Sequence, residues 1–378
     1  MKRSAALFLI IIFLFNLTAC GSENSAELKN RLIIQGIGLD LTKDGKLELS
    51  VQTLNTDVAT HASSNSEPKM LVKLYCVTAD TLSEAVKKLS ELTGKNPVLS
   101  QNRIVIFGRK LAESGVGKYL DDFFRNDENR FSVLTCVCDG KAKELINAYL
   151  GENVIPARLV EKILLTADEN FYITNLSILQ LNNSVLNKTA CAIPIAEISK
   201  EGETDSLNII GCACFVGGKM QAVFDENTAA GINILNGKIK KAFFGVNLND
   251  GTNVSFEILK CRTSVSTKSI DGKLSFDIKI KAMLSVDEID SAFQNNESVE
   301  KLCQAAEDYI KALTENSIDK CIVKNKIDVF GLSRYAKRKM PELTDKNKTE
   351  AIELLRQADY NISAVFKIKR MGDSSVIF

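Results

Sequence analysis

The chain has 378 residues, of which 45% are apolar and 25% charged, and its 48 Lys and Arg stand against 47 Asp and Glu. That composition is ordinary for globular folds, excludes the strongly basic footprint of a nucleic-acid binder, and offers no polybasic run for an anionic membrane surface. The length suggests two or three domains.

The N-terminus carries Lys2-Arg3 followed by an unbroken apolar run from Ala5 to Phe15. A basic start, a short apolar stretch and small residues before a cut predict a secretory signal peptide over residues 1–19. The apolar run is too short for a membrane span, which needs about 20 residues. Leu17-Thr18-Ala19-Cys20 resembles the bacterial lipobox, which implies that Cys20 receives a diacylglyceryl group and becomes the new N-terminus. Two acyl chains suffice for stable anchoring. Loss of Lys2 and Arg3 leaves 46 basic against 47 acidic side chains, so the lipid is expected to hold the membrane alone. No other apolar stretch approaches spanning length, and the body is expected to sit on the membrane at its extracytoplasmic face.

A lipidated tether over 20–30 leads into an N-terminal α+β domain over 31–200. Leu32 to Asp40 reads as an extended apolar segment, Lys43 to Lys46 as a turn, and Leu47 to Val51 as the second strand of a hairpin. Residues 55–69, which hold His61, are polar and loop-like. A strand from Leu71 to Val77 precedes Thr81-Leu82-Ser83-Glu84, a capping-box pattern. It opens a helix with Leu82, Val86, Leu89 and Leu92 facing inward. Arg103 to Gly108 is a buried strand by composition. A helix from Leu111 to Phe124, a strand from Phe131 to Cys138 and a helix from Lys141 to Leu150 follow, without the Gly-x-Gly-x-x-Gly turn of a dinucleotide site. From about 150 the domain turns helical, then closes with a strand from Ala190 to Ile198.

Glu201 to Asp205 is a polar, turn-rich break, and a C-terminal α+β domain is expected over 207–378. Strands Leu207 to Val216 and Lys219 to Phe224 flank Gly217-Gly218, a two-residue hairpin signal. Asp225 caps a helix from Glu226 to Leu235, which Asn236-Gly237 ends in the left-handed conformation; a strand resumes from Lys238 to Val246. Val254 to Thr267 and Lys273 to Leu284 form a long hairpin about Asp271-Gly272. A helix of up to thirty residues starts near Glu297 with an apolar stripe through Val299, Leu302, Ala306, Ile310 and Leu313. A second helix around Lys346 to Gln357 and a strand from Asn361 to Lys369 close the chain. The fold class is therefore multi-domain α+β: a mixed N-terminal sheet with helices, and a C-terminal antiparallel sheet covered by long helices.

Beyond Cys20 there are nine cysteines, an odd number that cannot all pair. Cys136/Cys138 and Cys212/Cys214 alternate within apolar strands, so each pair shares one sheet face and reads as small buried hydrophobes. With His61 as the chain's one histidine, metal-ligand spacing is absent, and neither a metal nor a cofactor is expected. Gly36, Gly108, Gly211 and Gly331 sit at strand ends or turns and read as structural. Asp328 reads as a cap or turn residue, and Arg334, Lys337, Arg338 and Lys339 as a local basic cluster on a solvated face, with anionic head groups or an acidic partner surface as the alternative. No carboxylate pair or nucleophile–base arrangement stands out, so no enzyme is expected.

Several segments, in order, resemble the Ger(x)C spore-germination lipoproteins, the C subunits of nutrient germinant receptors. They are Gly36-Ile37-Gly38-Leu39-Asp40 with Asp44-Gly45-Lys46, Ser100 to Gly108 with Leu111 to Gly115, Arg125 to Arg130, Gly140 to Leu145, Gly211 to Phe215, Lys219-Met220, Asp225 to Thr228, Gly231 to Lys238, Asp328 to Leu332, and Arg370-Met371-Gly372. The chain departs from that family in having no Trp. The resemblance implies an accessory lipoprotein on the outer face of the inner spore membrane, partnered by integral-membrane A and B subunits and acting in germination by protein–protein interaction. The alternative is an extracytoplasmic solute-binding lipoprotein that delivers a small nutrient to a permease-like partner. Against it stand sparse aromatics and the lack of a regular two-lobe α/β alternation.

Overall fold

A computed structural model describes residues 30–54, 72–125, 130–248, 251–270, 273–289, 296–339 and 348–371. The signal peptide, Cys20, the tether, the 55–69 loop with His61 and the Asp271-Gly272 turn lie outside the described residues.

The first sheet has nine strands in the order β3-β2-β1-β5-β6-β7-β8-β9, with short β4 (Asn96–Val98) beside the start of β1. Its centre is parallel: β1 (Arg31–Leu41), β5 (Ile104–Gly108), β6 (Leu134–Cys138) and β7 (Ala190–Glu201) run the same way. Antiparallel β2 (Leu47–Leu54) and β3 (Val72–Ala79) extend one side, and β8 (Thr204–Val216) with β9 (Lys219–Phe224) the other. A parallel centre needs helices on both faces, and β5 is buried along its whole length. One face carries α1 (Leu82–Thr93), α2 (Arg109–Ser114), α3 (Gly117–Arg125) and α6 (Ile178–Leu186), packed on Val105, Phe107 and Val137. The other carries α4 (Ala142–Ile146) and α5 (Pro156–Leu165), packed on Ile104, Ile106, Cys136 and Cys138.

The second sheet has the order β10-β11-β12-β13, formed by Ala242–Asn247, Asn253–Ile270, Lys273–Ile289 and Asp359–Met371. The β11–β12 hairpin is antiparallel, as its Asp271-Gly272 turn signal implies, but β13 runs parallel to β12. The reason lies in the connection. Parallel neighbours require a crossover of a dozen or more residues, and α8 (Asn296–Ile318), α9 (Leu332–Lys339) and α10 (Lys348–Arg356) supply it. Between the sheets lies α7 (Glu226–Leu235), buried from Thr228 onward. One apolar core joins Cys212 and Cys214 of β8, α7, the inner face of the second sheet and Leu302, Ala306 and Ile310 of α8. The class is α+β with two mixed sheets.

Local physics explains where elements depart from the pattern-based expectation. The helix expected over 111–124 is two helices, because Gly115 takes φ +120° and the Val116 amide leaves the helix to donate to Gly218 O at 2.8 Å. Leu92 is 60% exposed, not inward. The buried stripe of α1 is Leu82, Ala85 and Leu89, and Leu92 lies past it in the last turn. Thr81 caps that helix by accepting from the Glu84 amide, while the Glu84 carboxylate takes the Asp80 amide instead of closing a box. β10 starts at Ala242 rather than Lys238 because Lys238 N donates back to Asn233 O, and Lys240 N and Lys241 N both reach Asp168 O. The polar Glu201–Asp205 segment is the tip of the β7–β8 hairpin, which pairs from Ala190↔Val216 to Glu201↔Thr204.

The sheet centre depends on one buried carboxylate. Asp40, near the end of β1, accepts Ala142 N at Oδ1 and Lys143 N at Oδ2, both at 2.9 Å. It thereby satisfies two orphan donors of α4, whose own cap residue Lys141 makes no side-chain bond. Burial pushes the Asp40 carboxyl above its ordinary value, against the downward pull of the Lys143 and Ala142 amides. Replacing Asp40 by Ala strands both amides, at about 1–3 kcal/mol each. We expect Asp40→Ala to lose about 3 kcal/mol in chemical denaturation and Asp40→Asn, which keeps one acceptor oxygen, clearly less. Equal losses would mean that the cap contributes nothing specific.

Candidate functional site

Of the residues that the sequence pattern singled out, Gly36 and Gly108 lie at one junction and Gly211 at another. At the first, the carboxyl ends of β1, β5 and β6 meet the start of α4. This is where open α/β sheets commonly bind ligands. Here the place is filled by the chain itself: the Asp40 carboxylate occupies the start of α4, and a methyl on Gly108 would overlap its Oδ1. Gln52, buried on β2, donates to Ile146 O at 2.6 Å and accepts Ala157 N at 3.1 Å, tying the end of α4 to the start of α5. Arg109 holds Asp139 and Glu113 just outside. Cys138, below Asp40, has its thiol pushed up to about 12, first by burial and then by the nearby Asp40, Glu144 and Asp139 charges.

The second junction joins β8, β9, α7 and the end of α8. Asp225 caps α7 by accepting Thr228 N at 2.8 Å, and its other oxygen pairs with Lys320 at 2.6 Å. Lys320 belongs to a π-helical turn, Asp319–Lys324, that continues α8. Such turns are frequent at functional positions; here the turn aims Lys320 at Asp225 and buries Cys321 in the core. Gly211 has φ +131° and lies against Phe224 O, which a side chain would overlap. Hydrogen bonds with Cys212 and Cys321, together with burial, hold the Cys214 thiol well above its ordinary value. All nine described cysteines are free thiols, and those with raised values are poor nucleophiles.

Beside this junction runs an open groove of about 690 Å³ between α5 and β8. Ile163, Ile173, Leu207 and Ile209 form its walls, and Asp225, Glu226 and Asn227 its rim. Among the described residues, no nucleophile–base pair lines it.

The placement of the expected residues is clear. Cys20 lies outside the described residues. Gly36 and Gly108 pack at the first junction and Gly211 at the second, while Gly331 packs on the Arg334 side chain. Asp328 caps α9, taking Leu332 N and Ser333 N at 2.8 Å each. Arg334, Lys337, Arg338 and Lys339 are exposed on α9. Sequence reasoning missed Gln52 and Lys320. Both are common polar residues whose partners are 94 and 95 positions away, and no local signal marks them.

Two family descriptions match the chain: the spore germination protein N-terminal domain over residues 24–198, and the spore germination B3/GerAC like, C-terminal, over residues 210–372. They meet at the β7–β8 hairpin. Spore germination protein KC of Bacillus subtilis is 24% identical over 97% of this chain and 96% of its own length. Spore germination protein B3 of the same organism is 22% identical over 98% and 99%. The crystal structure of the GerBC protein shares the fold, with a TM-score of 0.59 and 19% identity, over 88% of this chain and 96% of that one. The fold is α+β, and the two matched descriptions make it a bipartite germination protein. The chain belongs to the GerC family of germinant-receptor subunits, its role is in spore germination, and the family is not a known enzyme family. Among the described residues, no helix is long and apolar enough to cross a membrane.

The Asp225–Lys320 pair yields a pH signature. Burial raises the Asp225 carboxyl, but Lys320 and Thr228 outweigh it and hold the group below its ordinary value. A depressed carboxyl stabilises the fold above its unfolded value, near pH 4, and that stabilisation fades as pH falls through the folded value. Lys320→Ala should therefore melt below the wild type at pH 6, with the gap narrowing towards pH 3. A gap that stays constant over that range would mean the pair has no electrostatic role.

Proposed function

We propose that this chain is the lipid-anchored C subunit of a nutrient germinant receptor. It stands on the extracytoplasmic face of the inner spore membrane and acts by contact with A and B subunits. The observation that carries this reading is one of order. A signal peptide over 1–19 and a lipobox cysteine, Cys20, stand directly ahead of a body matched almost end to end by the two germination domains. We assign that body two units, 31–200 and 207–378.

The physics favours contact over catalysis. The crevice at the carboxyl ends of the parallel strands is plugged by Asp40, and the groove beside the second junction has apolar walls and a carboxylate rim suited to an extended polypeptide. Residues 21–30 span at most about 35 Å when fully extended. A diacyl anchor on Cys20 would therefore keep the body in a thin layer beside its partners, raising their effective concentration without new contacts.

Intact-mass analysis of the membrane fraction should find a diacylglyceryl group on a chain that begins at Cys20, and polytopic subunits should co-purify with it. Cys20→Ala should abolish that modification while leaving the thermal melt of the body unchanged, because the three described cores are built from residues beyond the tether. A wild-type chain recovered unmodified and freely secreted would overturn the anchor, and a lipidated chain that comes out alone with a small molecule would favour solute binding.

A further inference from the structure

The near-zero net charge conceals a segregated face. The inner side of the second sheet is apolar, with Phe256, Ile258, Phe276, Ile278, Ile280, Ile362 and Phe366 in the core. Alternation along the strands places the intervening residues on the opposite side, towards solvent. The register then stacks cations across three strands. Lys260 faces Met283, which faces Lys367; Arg262 faces Lys281, which faces Val365; Ser264 faces Lys279, which faces Ser363. Lys369 continues the β13 row. All six of these cations are exposed, and the three rows contain no carboxylate.

Three acidic residues at the margins of this face are already engaged. Asp277 pairs with Lys268 at 2.8 Å, Glu257 with Lys241 at 2.7 Å, and Asp359 with Lys273 at 2.7 Å. Like charges directly opposite each other in a sheet are destabilising, yet Arg262 and Lys281 are direct partners. Amid the cations stand large exposed apolar side chains: Val365 is 52% exposed beside Lys281, and Phe243, on the same side of β10, is 50% exposed. Cations with long aliphatic stems interspersed with aliphatic and aromatic groups suit the headgroup boundary of a bilayer.

We propose that this outer face of the second sheet, centred on Lys260, Arg262, Lys279, Lys281, Lys367 and Lys369, docks on an anionic lipid bilayer. The face orients the anchored body, so the lipid at Cys20 does not hold the membrane alone. The choice of a bilayer over an acidic polypeptide rests on the anchored-subunit reading above. Exposed apolar groups spread over a sheet face among cations match a lipid surface, where each cation gains from the negative surface potential and the gain is screened by salt.

The test separates the face from the anchor by working in the Cys20→Ala full chain, with vesicles of phosphatidylcholine alone or with 30% phosphatidylglycerol. The contribution of residues 1–19, including Lys2 and Arg3, is common to all variants and cancels when they are compared on the same vesicles. The face should add at least tenfold in affinity for the anionic vesicles, and 0.5 M salt should remove most of that gain. Lys279→Glu with Lys281→Glu should abolish the gain while melting no lower than the parent, because the second change turns the like-charge pair with Arg262 into an opposite one. Lys337→Glu with Arg338→Glu, an equal charge change on α9, should keep it. No gain on anionic vesicles, or equal loss in both double variants, overturns the proposal. Retention on poly-glutamate without any vesicle gain overturns it too and assigns the face to an acidic protein. A failed vesicle gain leaves the mass test of Cys20 untouched, so the two readings fail separately.

Discussion

A carboxylate buried at the end of a central β-strand is costly unless its oxygens are occupied. Asp40 meets that condition by accepting two backbone amides from the first turn of α4, and much of the N-terminal unit follows from this arrangement. The helix must approach β1 and β5 closely enough for the amides to reach, which is why Gly38 and Gly108 carry no side chain against Ala142 and Asp40. The other end of the same short helix is held by Gln52, which also receives the first amide of α5. A five-residue helix has little stability of its own. Here it is fixed from the sheet at both ends, and it closes one face of a parallel core that would otherwise be open to water.

The same logic holds for several segments that carry the family resemblance: Asp40 meets the start of α4 at Ala142 and Lys143, and Asp225 meets the start of α7 at Thr228. At the second junction Asp225 plays the role of Asp40 for α7, with Lys320 as its counter-ion and Gly211 yielding space to the preceding strand. Burial raises the free thiols of Cys138, Cys191 and Cys261.

Charge distribution carries information that net charge does not. The sequence contains nearly equal numbers of acids and bases, and read linearly the cations of β11, β12 and β13 are scattered from Lys260 to Lys369. Strand pairing sums them on one side of one sheet. Asp277, Glu257 and Asp359 are held in ion pairs at the margins, and the three central rows carry cations without a carboxylate.

Most elements were legible from pattern because their cause is local. Asp225 ahead of an apolar helix, Gly217-Gly218 between alternating runs and the 3.6-residue stripe of α8 each act over a few residues. What was not legible depends on partners far away in the chain. The break at Gly115 needs the Gly218 carbonyl, and the parallel pairing of β13 with β12 needs a helical crossover whose packing no strand reveals. The Glu201–Asp205 tip has the composition of a linker, yet the strands on either side of it pair along their whole length. The α+β class and most helix starts thus follow from the sequence without its partners in space. Tertiary structure alone decided that Asp40 and Gln52 clamp α4, that Lys320 meets Asp225, and that six dispersed cations share one face, because each rests on strand register and long-range contact.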